Sequence, residues 1–139
     1  MSPSSATKGS YLLLLHLGDE VELDVGGPGI CTFPRGTYVY AGSAQSSLFA
    51  RVGRHFLTEK KVHWHIDRLL LHAEPVSAIM IEGDDRECEI NRLVAGTEGS
   101  RMVCRGFGSS DCDCPTHLHL IEEDMLPTII NEMRWLEGA

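Results

Sequence analysis

The stretch YVYAGSAQSSLFARVGRHF, residues 38–56, decides the fold of this chain. Two tyrosines and a glycine end a segment with the pattern of a β-strand, and apolar residues at helical spacing follow within a few positions. The helical part also carries Arg51, Arg54 and His55. A strand that leads directly into an amphipathic helix predicts an α+β domain, and the basic side chains pose the question of function.

The composition is that of one globular domain. The chain has 139 residues, of which 42% are apolar and 23% charged, values close to those of ordinary globular proteins. Its longest wholly apolar run, Tyr11 to Leu15, is far shorter than the ~20 residues that cross a bilayer. We therefore expect no membrane helix and no membrane partner.

The N-terminus and the cysteines indicate the compartment. Residues 1–8 are polar and lack the apolar core of a signal peptide, which predicts a flexible leader, a domain spanning 9–139 and a cytoplasmic protein. The five cysteines, an odd number, include the closely spaced pair Cys112 and Cys114. This usage fits thiols kept reduced in the cytoplasm better than a disulfide framework.

Charge is distributed unevenly along the chain. The net charge of −8 argues against a nucleic-acid partner, because phosphates repel such a surface. Residues 34–68 nevertheless hold six basic and two acidic side chains, a local charge of +4, and the remainder carries −12. A basic segment in an acidic chain predicts either a site for phosphate groups or an ordinary solvated face.

Hydrophobic periodicity predicts a small, mostly antiparallel sheet flanked by helices. The predicted strands cover residues 9–17, 21–25, 37–42, 76–81 and 117–121, with the first two joined by a tight turn. The predicted helices cover residues 47–57, 63–74, 85–95 and about 125–137, and the second of these is also compatible with a strand. Gly96 is expected to end its helix in a left-handed cap, and Pro127 suits the first turn of the last helix.

The predicted helix at 47–57 has one apolar and one basic face. A helical wheel separates two sets of side chains: apolar Leu48, Phe49, Val52 and Phe56, and basic Arg51, Arg54 and His55. The basic set would present two guanidinium groups and an imidazole to phosphate oxygens. The predicted phosphate and nucleic-acid surface continues in Lys60, Lys61, His63 and His65. The alternative is an ordinary amphipathic helix with a basic surface.

The order of the tyrosines, glycines and basic residues resembles the GIY-YIG nuclease superfamily. GSY at 9–11 stands where that family has Gly-Ile-Tyr, and YAG at 40–42 stands for Tyr-Ile-Gly. Arg51 with His55 matches the Arg-x-x-x-His of its first helix. The resemblance implies a GIY-YIG-like α+β domain that hydrolyses phosphodiester bonds in DNA, structured or branched nucleic acid included.

One branch of that superfamily, the Uri-type endonuclease-like proteins, is more similar still. Five blocks occur in its order: FPRGTYVYAGSA, ARVGRH, HWHIDRLL, REC and FGSSDCDCPTHL. Ser10 and Ala41 replace the isoleucines of the two short motifs, whereas the tyrosines and glycines are kept. The substitutions therefore leave the chemistry that the motifs imply unchanged.

The resemblance also implies one divalent metal ion, Mg²⁺ or Mn²⁺, held by a glutamate on a later helix. A wheel of the predicted helix 85–95 places Glu87 in the buried arc with Ile90 and Val94 and turns Glu89 outward. A buried carboxylate is costly unless it is paired or bound to a cation. Glu87 is therefore the expected metal ligand, with a buried salt bridge to an arginine as the alternative.

Five catalytic roles follow from the resemblance. Tyr11 would help deprotonate the attacking water, Tyr40 would orient it, and Arg51 would stabilise the developing charge. His55 would relay a proton or contact phosphate, and Glu87 with its metal would support the leaving oxygen. A tyrosine pKa near 10 would have to be lowered by a neighbouring cation for this chemistry.

Binding without catalysis is the main alternative. A catalytically silent nucleic-acid-binding module would use the same basic residues. A domain of this size is expected to lack the separate targeting domain that such nucleases often carry. We expect a monomer or a homodimer, with either a partner protein or the dimer supplying specificity.

A competing constellation is formed by Cys112, Cys114, His117 and His119. Thiolates and imidazoles suit Zn²⁺, although Cys-x-Cys followed by His-x-His departs from the usual spacing of structural zinc sites. The alternative is a reduced loop packed near the active site. Cys88 or His63 could complete a zinc site if the fold brings them close. A zinc-stabilised interaction domain is thus a third possible function.

The segment around Trp64 offers a further choice. His63, His65 and Asp67 have the residue types of a metal site. A structural or substrate-contacting role is favoured, because only two of the three would share a helical face. Trp64 is expected to fill the core or to stack on a base.

Overall fold

Four antiparallel strands form the centre of the protein. The computed structural model describes residues 7–109 and 112–137. Within them lie the strands β1 (Gly9–Leu17), β2 (Val21–Asp24), β3 (Ile30–Phe33), β4 (Gly36–Ala44), β5 (Glu74–Glu82) and β6 (Leu118–Ile121). One sheet has the order β5-β1-β4-β6, and β2 pairs with β3 in a separate hairpin. Every pairing is antiparallel, which confirms the expected sheet.

Helices cover both faces of the four-stranded sheet. The described residues contain α1 (Leu48–His55), α2 (His65–Leu69), α3 (Glu87–Ala95) and α4 (Leu126–Glu137). A 3-10 turn at Glu123–Met125 leads into the last of them. None of these helices has the length and apolar character needed to cross a bilayer. The α+β class predicted from the sequence is confirmed.

β1 is buried on both of its faces. Tyr11, Leu13 and Leu15 belong to the core cluster that contains the apolar residues of α1 and α2. Leu12 belongs to a second cluster with the apolar residues of α3 and α4. Successive side chains of a strand point to opposite faces, so a continuous apolar run suits a strand between two helical layers.

The predicted hairpin of β1 with the following strand is wrong. β4 and β5 pair with β1 along its two edges, so neither edge remains for β2. β2 instead pairs with β3, which the sequence analysis did not predict. Between them Gly26 and Gly29 have φ of 97° and 83°, the left-handed region that glycine adopts readily. The loop at 26–29 is therefore the turn of a small hairpin.

Two helix ends differ from their predictions. The helix expected at 63–74 is confined to His65–Leu69, and β5 begins at Glu74. Pro75 lies within β5, an edge strand of the sheet, where a missing N–H is tolerated. Gly96 has φ of −82°, so the expected left-handed cap is wrong.

The last two residues of the predicted leader, residues 7 and 8, contact the folded domain. Residues 1–6 lie outside the described part of the chain. The carbonyl of Thr7 accepts a hydrogen bond from the N–H of Leu48, and that of Lys8 accepts one from Gly83. Thr7 and Lys8 are therefore part of the folded domain.

A disulfide joins Cys31 to Cys104. The expectation that all five cysteines stay reduced is therefore wrong for this pair. The β2-β3 hairpin brings Cys31 against the segment that follows α3, where the two Cα atoms are 5.6 Å apart. Cys88, Cys112 and Cys114 remain as free thiols.

The disulfide is expected to contribute measurably to stability. It closes a loop across a sequence separation of 73 residues, and a loop of this length corresponds to roughly 4 kcal/mol of lost unfolded-state entropy. The double variant Cys31→Ala/Cys104→Ala should lower the free energy of unfolding by about 2–4 kcal/mol in chemical denaturation. A reductant should destabilise the wild type and leave the variant unchanged. Equal stability of the two proteins would contradict the assignment.

Candidate active site

A cleft of about 450 Å³ opens beside the sheet. Its lining comes from β1, β4, α1, α3 and the segment before α2. It includes all five residues predicted to be catalytic: Tyr11, Tyr40, Arg51, His55 and Glu87. The fold thus brings together side chains that lie up to 76 positions apart in the sequence.

The motif glycine Gly42 makes room for Tyr11. The two residues are directly paired between β1 and β4. A Cβ added to Gly42 would overlap the ring carbon Cζ and the hydroxyl of Tyr11. Gly42 lies within β4, two residues before the strand ends at Ala44. It is glycine because the Tyr11 ring occupies the space of a side chain.

Tyr11 and His55 form a buried hydrogen bond. The hydroxyl oxygen of Tyr11 lies 2.6 Å from Nε2 of His55. Burial raises the pKa of Tyr11 well above its usual value of 10, and burial lowers the pKa of His55 to about 4. Tyr11 therefore donates and neutral His55 accepts. This tautomer carries its proton on Nδ1, a buried atom without a hydrogen-bond partner among the described residues.

The buried face of α1 differs from the wheel prediction. His55 is only 1% exposed and packs beside Leu48 and Val52, so its assignment to the exposed basic face is wrong. Phe49 and Phe56, expected in the core, are exposed. The hydrogen bond to Tyr11 compensates the burial of a polar ring, and a wheel that sorts residues by hydrophobicity does not include this effect.

Tyr40 forms the inner wall of the cleft. Its ring packs edge-on against Phe107 and His55, with centroids 6.1 Å and 6.3 Å away. Burial is the largest cause of its raised pKa, followed by the nearby carboxylate of Glu87. Both cleft tyrosines are therefore protonated hydroxyls, contrary to the expectation that cations would lower their pKa.

Trp64 holds Arg51 at the cleft. The guanidinium carbon of Arg51 lies 4.2 Å from the centroid of the Trp64 ring, and Nη1 donates to the carbonyl of Ser43 at 2.8 Å. These contacts fix the orientation of a long cationic side chain. The indole is part of the scaffold of the site.

Arg54 has a structural task. Its Nη1 and Nη2 donate to the two carboxylate oxygens of Asp67 at 2.8 Å and 3.0 Å. Asp67 is fully buried and also accepts from the backbone N–H groups of His63 and Trp64. Burial alone would raise the pKa of Asp67, but these hydrogen bonds lower it overall. Arg54 thus forms an ion pair with Asp67, and its contact with phosphate stays a prediction.

The remaining residues of the predicted basic surface lie partly in the cleft and partly outside it. His63 and His65 line the cleft, and Nδ1 of His65 accepts from the N–H of Gly108. Lys60 and Lys61 lie outside the cleft lining. The Nζ of Lys60 donates to the carbonyls of His55 and Leu57 and so covers the end of α1.

Glu87 occupies the N-terminal turn of α3 and lines the cleft, whereas the side chain of Glu89 is 47% exposed and pairs with Arg86. The wheel therefore distinguished the two glutamates correctly. The start of α3 is fixed by Ser10, whose buried hydroxyl accepts from the N–H of Arg86 at 2.7 Å. The serine that replaces isoleucine in the first motif thus anchors the helix that carries Glu87.

Three cysteines and a histidine meet at the side of the cleft. The ligand atoms of Cys88, Cys112, Cys114 and His117 all lie within 4.8 Å of one another. This cluster could hold a metal ion. His119, predicted to belong to it, instead donates from Nε2 to Oδ1 of Asn91 at 2.8 Å. The fold also brings Cys88 into this cluster. The spacing of residues along the chain did not show whether Cys88 would lie close to the other ligands.

The role of Gly42 predicts a contrast between two glycine variants. Gly42→Ala should displace the Tyr11 ring and lower stability by about 1–3 kcal/mol, the usual cost of overpacking. Gly53→Ala is the matched control, because the exposed Gly53 of α1 has no atom within 4 Å of an added Cβ. It should stabilise the helix by up to about 1 kcal/mol. Thermal unfolding measures both; equal effects would contradict the packing argument.

Neutral His55 predicts loss of stability in acid. Its pKa is about 4 when folded and near 6.5 when exposed. As pH falls from 6.5 to 4 the unfolded chain takes up a proton that the folded chain does not, so stability declines. The loss attributable to His55 should reach about 3 kcal/mol. His55→Gln should show a correspondingly smaller pH dependence in denaturation, and an unchanged dependence would contradict the assignment.

Comparison with known proteins identifies the family. No curated protein and no solved structure matches the chain. One family model, described as Domain of unknown function DUF123, matches residues 10–137, nearly the full length. The chain belongs to the DUF123 family.

Proposed function

We propose that this protein is a metal-dependent endonuclease that hydrolyses phosphodiester bonds in DNA, structured or branched DNA included. The observation that carries the proposal is the convergence of Tyr11, Tyr40, Arg51, His55 and Glu87 on one cleft. These are the positions at which the sequence resembles the GIY-YIG nucleases. Acid-base, cationic and carboxylate groups around one cavity are the components that phosphodiester hydrolysis requires.

The charged side chains that line the cleft favour a bound cation between the protein and a phosphate substrate. Arg51 can donate to phosphate oxygens from the other N–H groups of its guanidinium group, since its hydrogen bond to the carbonyl of Ser43 uses Nη1. Asp85 and Glu87 line the same cleft and would repel the phosphate. A bound cation would remove this repulsion.

The carboxylates fit a hard divalent ion. Mg²⁺ and Mn²⁺ prefer oxygen ligands and need only one or two carboxylates when water and phosphate complete the shell. Glu87 would hold the ion, with Asp85 beside it. When bound, the ion would polarise the phosphate and stabilise negative charge on the leaving oxygen.

The Tyr11–His55 pair supplies a path for the proton of the attacking water. Water attacks phosphorus, and its proton passes to the hydroxyl oxygen of Tyr11 while the hydroxyl proton passes to Nε2 of His55. The new P–O bond forms as the bond to the leaving oxygen breaks, and that oxygen takes a proton from solvent. Burial lowers the pKa of His55 to about 4, so its Nε2 is unprotonated at neutral pH.

Tyr40 and Arg51 orient the substrate. The protonated hydroxyl of Tyr40 can donate to water or to a phosphate oxygen at the inner wall of the cleft. Arg51 stabilises the charge that grows on the non-bridging oxygens. Because Trp64 and Ser43 already fix the guanidinium, little side-chain entropy is lost when phosphate binds.

Matched glutamate and arginine variants test the proposal. Glu87→Gln and Arg51→Ala should lower Mg²⁺- or Mn²⁺-dependent cleavage of plasmid or branched DNA on the order of 100-fold or more. Glu89→Gln and Arg68→Ala are controls of the same residue type at exposed positions. Circular dichroism establishes that each variant is folded.

DNA binding separates the endonuclease from a silent binding module. Fluorescence anisotropy with labelled DNA in Ca²⁺ measures binding without turnover. Binding with no cleavage by the wild type across divalent metals and DNA structures, unaffected by Glu87→Gln, would overturn the endonuclease and favour the binding module.

A further inference from the structure

We propose that Cys88, Cys112, Cys114 and His117 form a structural Zn²⁺ site that ties the start of α3 to the segment before β6. This site is separate from the cleft metal of the proposed function. Its ligands are soft thiolates and an imidazole, whereas Glu87 and Asp85 offer hard oxygen atoms. Zinc binding can therefore be measured without reference to DNA cleavage.

The ligand atoms have the spread that zinc requires. In a tetrahedral site with Zn–S bonds of about 2.3 Å, sulfur atoms lie roughly 3.8 Å apart. All four ligand atoms here lie within 4.8 Å of one another. Small rotations of the cysteine side chains are enough to place them around one ion. Four protein ligands leave no open position, which is typical of structural sites.

His117 is oriented as a zinc ligand. Its Nδ1 lies 3.1 Å from the carbonyl oxygen of Ala41, which can only accept, so Nδ1 carries the proton. The other nitrogen, Nε2, then presents a lone pair, and it lies 3.1 Å from Sγ of Cys112. A zinc-bound histidine usually donates its second ring N–H to a carbonyl or carboxylate. The side chain of His117 is fully buried, which holds this geometry in place.

The position of the cluster explains why a metal is useful there. The chain between α3 and β6 contains no helix or strand among its described residues, apart from an isolated bridge of Arg101 to Leu120. Three ligands, Cys112, Cys114 and His117, come from this irregular segment, and Cys88 comes from the first turn of α3. A metal bond across them would replace the missing secondary-structure hydrogen bonds.

The cluster is also reachable. Cys88 and Cys112 line both the candidate active site and a second cavity of about 600 Å³, and Cys114 lines the second cavity. Zinc and chelators thus have a path to the thiols. Cys88 directly follows Glu87, so an ion bound here would also fix the helix turn that carries the glutamate.

Metal analysis of the full-length protein tests the site. Protein purified with reductant and loaded with Zn²⁺ should retain one ion per chain after desalting, measured by mass spectrometry of the metal. Cys88→Ser, Cys114→Ser and His117→Gln should each lose most of it. Asp113→Ser, an exposed position between two ligands, and His119→Gln, a buried histidine outside the cluster, are the matched controls and should keep it.

Cobalt substitution tests the site in the wild-type protein, so the result does not depend on whether the variants fold. Co²⁺ bound to the wild type should produce thiolate-to-metal charge-transfer absorption and the strong visible bands of tetrahedral coordination. Excess Mg²⁺ should leave these bands unchanged, and Zn²⁺ should abolish them. Two results would overturn the proposal: no retained zinc in the reduced wild type, or equal zinc loss in the Asp113→Ser control.

Discussion

The pairing of Tyr11 on β1 with Gly42 on β4 places a phenol ring where the neighbouring strand has no side chain. The ring can lie across β4, so its hydroxyl reaches the end of α1 instead of solvent. His55 accepts that hydroxyl, and this bond fixes which face of α1 is buried. Arg51, one turn earlier, is thereby turned toward the cleft. The absence of a Cβ at Gly42 thus positions three of the five candidate catalytic residues, Tyr11, His55 and Arg51.

Burial and pairing together decide the protonation states around the cleft. Tyrosine hydroxyls and imidazoles out of water keep their neutral forms, because desolvation disfavours charge. Asp67 is the exception, since two donors from Arg54 and two backbone N–H groups stabilise the carboxylate. The cleft therefore combines neutral tyrosine and histidine side chains with the guanidinium group of Arg51, which Trp64 and Ser43 hold in place.

Periodicity predicted most of the elements and the inward position of Glu87, because both follow from the spacing of apolar residues along a single helix or strand. Periodicity could not predict which distant segments of the chain contact one another. The β2-β3 hairpin, the Cys31–Cys104 disulfide and the inclusion of Cys88 in the cluster all depend on contacts between distant segments. His55 was misplaced because a wheel treats imidazole as polar, and its bond to Tyr11 made burial favourable.

The irregular segment between α3 and β6 is attached to the domain by a disulfide at Cys104, and the proposed zinc site would attach it a second time through the free thiols of Cys112 and Cys114. The two attachments require opposite conditions. A strong reductant opens the first, and an oxidant converts the second to disulfides or sulfenic acids. If both attachments form, the segment is held at both places only within a bounded range of redox potential.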